Sequence, residues 1–102
     1  ARRDNYSKKL TEMSGGRVTV KDGVVSVNKK VLLTPAPSGG MSSAERAYFV
    51  MGNLAAAYKN GHAASGAHVE GRTVMLGAQP IINCTDRDAN PYAIAELLNQ
   101  IK

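Results

Sequence analysis

The sequence predicts an α+β domain: an antiparallel sheet of two hairpins with two helices on one face, in the order ββαββα. Three observations carry this. Asp22-Gly23 separates two short apolar runs in the manner of a tight hairpin turn. Ser42 and Glu45 have the spacing of a capping box ahead of a helical apolar stripe. Asn90-Pro91 opens a second stripe, Ile94, Leu97, Leu98 and Ile101, at i, i+3, i+4 and i+7. Each helix follows a pair of strands, so most of the chain reads as two strand–strand–helix blocks.

Residues 1–16 form a basic N-terminal arm, in which Tyr6, Leu10 and Met13 have the spacing of a short helix over Asp4–Met13. Residues 17–102 form a single α+β domain. Arg17-Val-Thr-Val-Lys21 alternates with period two, Asp22-Gly23 turns, and Val24–Val27 returns. A second turn at Asn28-Lys29 would leave Lys30–Thr34 as a third strand, and a meander accommodates both turns. Pro35-Ala-Pro-Ser-Gly-Gly40 is a loop, since two prolines remove donors and two glycines add freedom. Ala47, Val50, Met51, Leu54, Ala57 and Tyr58 trace one face of the following helix, which Asn60-Gly61 ends. Val69–Leu76 and Pro80–Thr85 read as two strands with Gly77-Ala78 between them. The last helix takes Asn90 as cap and Pro91 at its first position. It runs almost to Lys102, which implies a longer protein continuing beyond it.

One hundred and two residues with 43% hydrophobic content suit one domain with one core. The single Cys84 excludes an intrachain disulfide and any cysteine-rich zinc site. No apolar run approaches the roughly 20 residues a membrane-spanning helix requires. The net charge of +5 is uneven. The whole excess lies in residues 1–30, while the basic and acidic groups of residues 31–102 balance. Such a basic region suits nucleic acid, anionic lipid or an acidic wall polymer, or is simply a solvated chain end.

Candidate chemistry is sparse. Cys84 with His62 or His68 pairs a nucleophile with a base, yet Ile81-Ile-Asn-Cys84 is an apolar strand, where a buried thiol is inert. Asp86-Arg87-Asp88 offers two carboxylates to a hard cation but lacks the further ligands of a calcium loop. A strand-to-helix turn explains it more simply. His62, His68 and Glu70 lie close in sequence without the spacing of a zinc site. Ser14-Gly-Gly and Ser38-Gly-Gly match neither a phosphate loop nor a dinucleotide fingerprint. Only Tyr6 accompanies the basic residues of the first third, too few aromatics for a base-stacking surface. No catalytic, metal or cofactor site is therefore expected.

The order of motifs resembles an extracytoplasmic module of bacterial envelope proteins. Val25-Ser-Val-Asn-Lys-Lys-Val-Leu32, a loop, and Ser43-Ala-Glu-Arg-Ala47 carry the resemblance in the first half. Thr73-Val-Met-Leu76, Ile81-Ile-Asn-Cys-Thr-Asp-Arg-Asp-Ala89 and the closing helix carry it in the second. Related segments stand ahead of small mechanosensitive channel domains and beside rare-lipoprotein-A-like wall proteins. The resemblance covers Val24–Ile101 and implies an accessory or sensory domain outside the cytoplasmic membrane, periplasmic or secreted, without catalytic residues.

The resulting expectation is a non-catalytic bacterial envelope-side recognition or assembly module. Its contacts would be Arg17, Lys21, Lys29 and Lys30, and its partner an envelope protein or an acidic wall or lipid surface. The alternatives are an accessory fragment of a cell-wall hydrolase and a basic nucleic-acid-binding domain.

Overall fold

The computed structural model describes Glu12 and residues 16–101. The helix expected at Asp4–Met13 lies, but for Glu12, outside the described residues. The order of elements is β1 (Val18–Lys21), β2 (Val24–Val27), β3 (Lys30–Leu33), α1 (Ser43–Lys59), a 3-10 turn (His62–Ala64), β4 (Ala67–Glu70), β5 (Thr73–Leu76), β6 (Gln79–Asn83) and α2 (Pro91–Ile101). The class is α+β, as expected. The strands, however, form two three-stranded antiparallel sheets, β1-β2-β3 and β4-β5-β6, not one sheet of two hairpins.

The first meander follows the sequence reading. Asp22 and Gly23 both have positive φ, and so do Asn28 and Lys29, as type I′ turns require. The second meander has one strand more than its sequence suggests. The run Val69–Leu76 is broken by a turn at Gly71, whose φ of +65° supplies the left-handed position. Gly77-Ala78 makes the second turn, as expected.

The two meanders share one register at a constant sequence offset of 49. Val18↔Val27, Val20↔Val25 and Val25↔Leu33 in the first correspond to Ala67↔Leu76, Val69↔Val74 and Val74↔Ile82 in the second. The shift between Val25 and Ser26 recurs between Val74 and Met75. Each is a bulge, which adds Leu32 to β3 and Ile81 to β6. It explains why both Leu32 and Leu33, and both Ile81 and Ile82, are buried where plain alternation would expose one of each pair. Even the closing bonds agree: Asn28 N donates to Arg17 O, and Gly77 N to Gly66 O.

The helices complete the same pattern crosswise. α1 packs on β1, β2 and β6, whereas α2 packs on β4, β5 and β3. Each helix thus covers two strands of its own block and the third strand of the other. Val50, Met51, Leu54 and Ala57 of α1 and Ile94, Ala95, Leu98 and Ile101 of α2 are buried at matching positions in one continuous core. Truncating Leu54 or Leu98 would cost about 2–5 kcal/mol.

Both helix starts match their sequence signals. Ser42 Oγ accepts from Glu45 N, and Glu45 Oε1 accepts from Ser42 N, which completes the capping box. Asn90 Oδ1 accepts from Tyr92 N, with Pro91 as the first residue of α2. Gly61, at φ +78°, follows the end of α1.

Candidate functional site

Arg17, Lys21, Lys29 and Lys30 are all exposed. Among the described residues the ion pairs are Arg46–Asp88, His68–Glu70 and Arg72–Asp86, so none of these four cations is in one. The register divides the set. The bond from Asn28 N to Arg17 O, 2.8 Å, ties Arg17 to the β2–β3 turn. Lys29 lies in that turn and Lys30 opens β3, so these three share one end of the sheet. Lys21 stands by the other turn, roughly 13 Å along β1 from Arg17 at the rise of an extended strand.

Arg17 is also anchored. Its guanidinium carbon lies 5.2 Å from the centroid of the Tyr58 ring, a cation–π contact that joins β1's approach to the end of α1. Burial pushes the Tyr58 hydroxyl's pKa up, and the Arg17 charge offsets part of that rise. The hydroxyl is buried, with no hydrogen-bond partner among the described residues. The helical stripe places Tyr58 on the core side of α1, but no sequence signal links it to Arg17.

The candidate chemical groups take structural places. Cys84 is buried, and burial pushes its thiol pKa up, with the Asp88 carboxylate adding to the rise. A thiol so placed is a poor nucleophile. His68 Nε2 lies 3.1 Å from Glu70 Oε2 on neighbouring outward positions of β4, while His62 packs at Gly77. Among the described residues, no three His, Cys, Asp or Glu side chains converge as a metal site would require.

Asp86 and Asp88 part company. Asp86 is exposed and pairs with Arg72 at 2.6 Å. The Asp88 side chain is wholly buried: Oδ1 accepts from Ala36 N and Arg46, and Oδ2 from Thr85 N and Oγ1. Arg46 also donates to Ala36 O and Asn83 O. The pair therefore fastens the Pro-rich loop and the Thr85–Asp88 turn to α1, with both carboxylate oxygens of Asp88 committed to structure. Beside it, an open cleft of about 390 Å3 runs between α1 and β6, lined among others by Phe49, Val50, Asn53, Ile81 and Ile82. Phe49 is 65% exposed at its rim.

Compared with protein-family models, curated proteins and solved structures, the chain has no significant match. Arg17, Lys29 and Lys30 form an exposed basic group at one end of the first sheet.

Proposed function

We propose that the chain is a non-catalytic recognition or assembly module acting on the envelope side of a bacterial cell, as an accessory domain of a longer protein. The observation that supports this reading is the group Arg17, Lys29 and Lys30. These three exposed cations share one end of the first meander and have no ion partner among the described residues. Cations without a neutralising neighbour attract an acidic surface at long range. The envelope location rests on the resemblance of Val24–Ile101 to extracytoplasmic modules. Lys21, at the far turn, would add to the attraction without sharing the contact.

Sedimentation with peptidoglycan and with vesicles containing anionic lipid, over a range of ionic strengths, tests the proposal. Binding should weaken steeply from low to moderate salt, as screening shortens the reach of the charges. Replacing Lys29 and Lys30 by Gln should weaken it more than replacing Lys21. Absence of binding, or binding indifferent to salt, overturns the electrostatic reading.

A further inference from the structure

A β-sheet carries unpaired backbone groups along its outer edges unless something covers them. In the second sheet both edges are met. Along β4, Asn99 Oδ1 accepts from Ala67 N at 2.8 Å and Asn99 Nδ2 donates to Ala67 O at 2.9 Å, so one amide side chain imitates a neighbouring strand. Along β6, Asn53 donates to Ile81 O and Arg46 to Asn83 O. Pro80, in the same strand, has no N–H to offer.

β3 differs. Its hairpin turn closes on Val27↔Lys30, which is the hydrogen-bonded pair of a two-residue loop. The next pair, Ser26↔Val31, is then non-hydrogen-bonded, so the N–H and C=O of Val31 point away from β2 toward the edge. No hydrogen bond among the described residues reaches either group, and Val31 is 60% exposed. The equivalent position of the second sheet, at the offset of 49, is Pro80. The same place is thus closed by proline in one meander and open in the other, and the open one adjoins Lys29, Lys30 and Arg17.

We propose that the β3 edge takes up an extended acidic segment of a partner protein by strand addition. The backbone of Val31 sets the register, an apolar residue of the segment covers its side chain, and flanking carboxylates meet Lys29 and Lys30. The same lysines act against pairing with a second copy of this chain, which would set like charges side by side. The inference rests on reading the chain as a recognition module but is independent of its compartment.

The test uses the full chain, a synthetic peptide alternating Glu and Val, and a control peptide with Lys for Glu. Fluorescence anisotropy gives affinity, and amide hydrogen exchange reports on Val31. The decisive variant is Val31→Pro. It removes the outward N–H and replaces an exposed side chain by another apolar one, and the fold already carries a proline at the equivalent Pro80, so its melting temperature should stay near that of the parent chain. The acidic peptide should bind and protect the Val31 amide. Val31→Pro should lower affinity at least tenfold, and the Lys peptide should not bind. Equal binding by Val31→Pro, equal binding of the Lys peptide, an unprotected Val31 amide in the complex, or self-association without binding each overturns strand addition. Peptidoglycan or vesicle binding that survives Val31→Pro would leave the charged-surface reading standing while removing this one. The Val31 exchange measurement on the parent chain decides the matter should the variant fold poorly.

Discussion

Arg46 and Asp88 lie 2.9 Å apart with the carboxylate wholly shielded from water, and between them they join three segments of the chain. The Pro-rich loop enters through Ala36, the turn after β6 through Thr85, and α1 through Arg46 itself. A buried ion pair is costly to form, since both charges lose water, and is retained only where further hydrogen bonds complete it. Beside Arg46, Asp88 has three such donors: Ala36 N, Thr85 N and Thr85 Oγ1. Replacing Asp88 by Ala would leave the Arg46 guanidinium and two backbone amides without their acceptor. The expected loss is about 3–5 kcal/mol by urea denaturation; a loss below about 1 kcal/mol would show the pair to be dispensable.

The same carboxylate makes stability depend on acid. Burial by itself would raise its pKa, but the hydrogen bonds from Arg46, Thr85 and Ala36 outweigh burial and hold it at about 2. The folded value lies below the unfolded one, so the folded state binds fewer protons. This contribution is complete above the ordinary Asp range near 4 and disappears as pH falls toward 2. Thermal unfolding from pH 6 to 2 should show the parent chain losing stability mainly below pH 4. Asp88→Asn should show a smaller loss over that interval, and parallel curves would remove Asp88 as the source.

Two glycines with positive φ separate strain from space. Gly71, at φ +65°, has nothing within 4 Å of the position a Cβ would take. Gly77, at φ +59°, would set a Cβ 3.1 Å from His62 Cβ and 3.3 Å from its carbonyl oxygen. Alanine at either site carries the left-handed strain of about 1–2 kcal/mol, and only at Gly77 does a backbone contact add to it. Gly77→Ala should therefore be measurably less stable than Gly71→Ala in parallel urea titrations. Equal losses would mean that the 3-10 turn yields freely.

What was legible in the chain was local. Ser42 with Glu45, Asn90 with Pro91 and Asp22-Gly23 act on backbone groups within a few residues, so their spacing is their structure. The turn at Gly71 has no distinct signal, because Val69–Leu76 alternates well enough to pass for one strand, and a glycine in such a run is as compatible with a bulge as with a turn. The division into two sheets depends on which edges the helices cover, and Asn99 and Asn53 announce nothing of that kind in sequence. The site shows the same limit. The exposure of Arg17, Lys21, Lys29 and Lys30 follows from their chemistry, but the separation of Lys21 from the other three follows from register. Asp88 reads as a turn residue; its partner Arg46, on another element, is visible only in the fold.

Asn99 should be worth more than its exposed position suggests. Its amide makes two hydrogen bonds with one residue of β4, so Asn99→Ala frees a donor and an acceptor on a sheet edge at once. The expected cost is about 1–2 kcal/mol, against nearly none for Gln100→Ala, an exposed neighbour on the same helix. Equal stability of the two variants would show that water replaces the amide without penalty.

Cys84 should behave as a core residue. Its thiol is buried and its pKa raised by that burial, so little thiolate forms and little of it can be reached. Thiol reagents should label it at the rate of unfolding, accelerating in urea in step with loss of structure. Rapid labelling of the folded chain at neutral pH would contradict this.

Lys29 occupies a conformation better suited to glycine. Its φ of +69° follows Asn28 at +52°, so the β2–β3 turn holds two non-glycine residues in the left-handed region. Asparagine accepts that region readily, whereas lysine does so at a cost of about 1 kcal/mol. Lys29→Gly removes the strain but gives the unfolded chain more freedom, which takes back part of the gain. The net expectation is a stabilisation of about 0.5 kcal/mol by urea denaturation, accompanied by weaker binding to acidic surfaces because one of the three clustered cations is lost. A variant both more stable and a poorer binder would mark Lys29 as a position where charge is kept at the expense of backbone geometry. A destabilised variant would instead mean that contacts of the lysine side chain, and not the turn, govern this position.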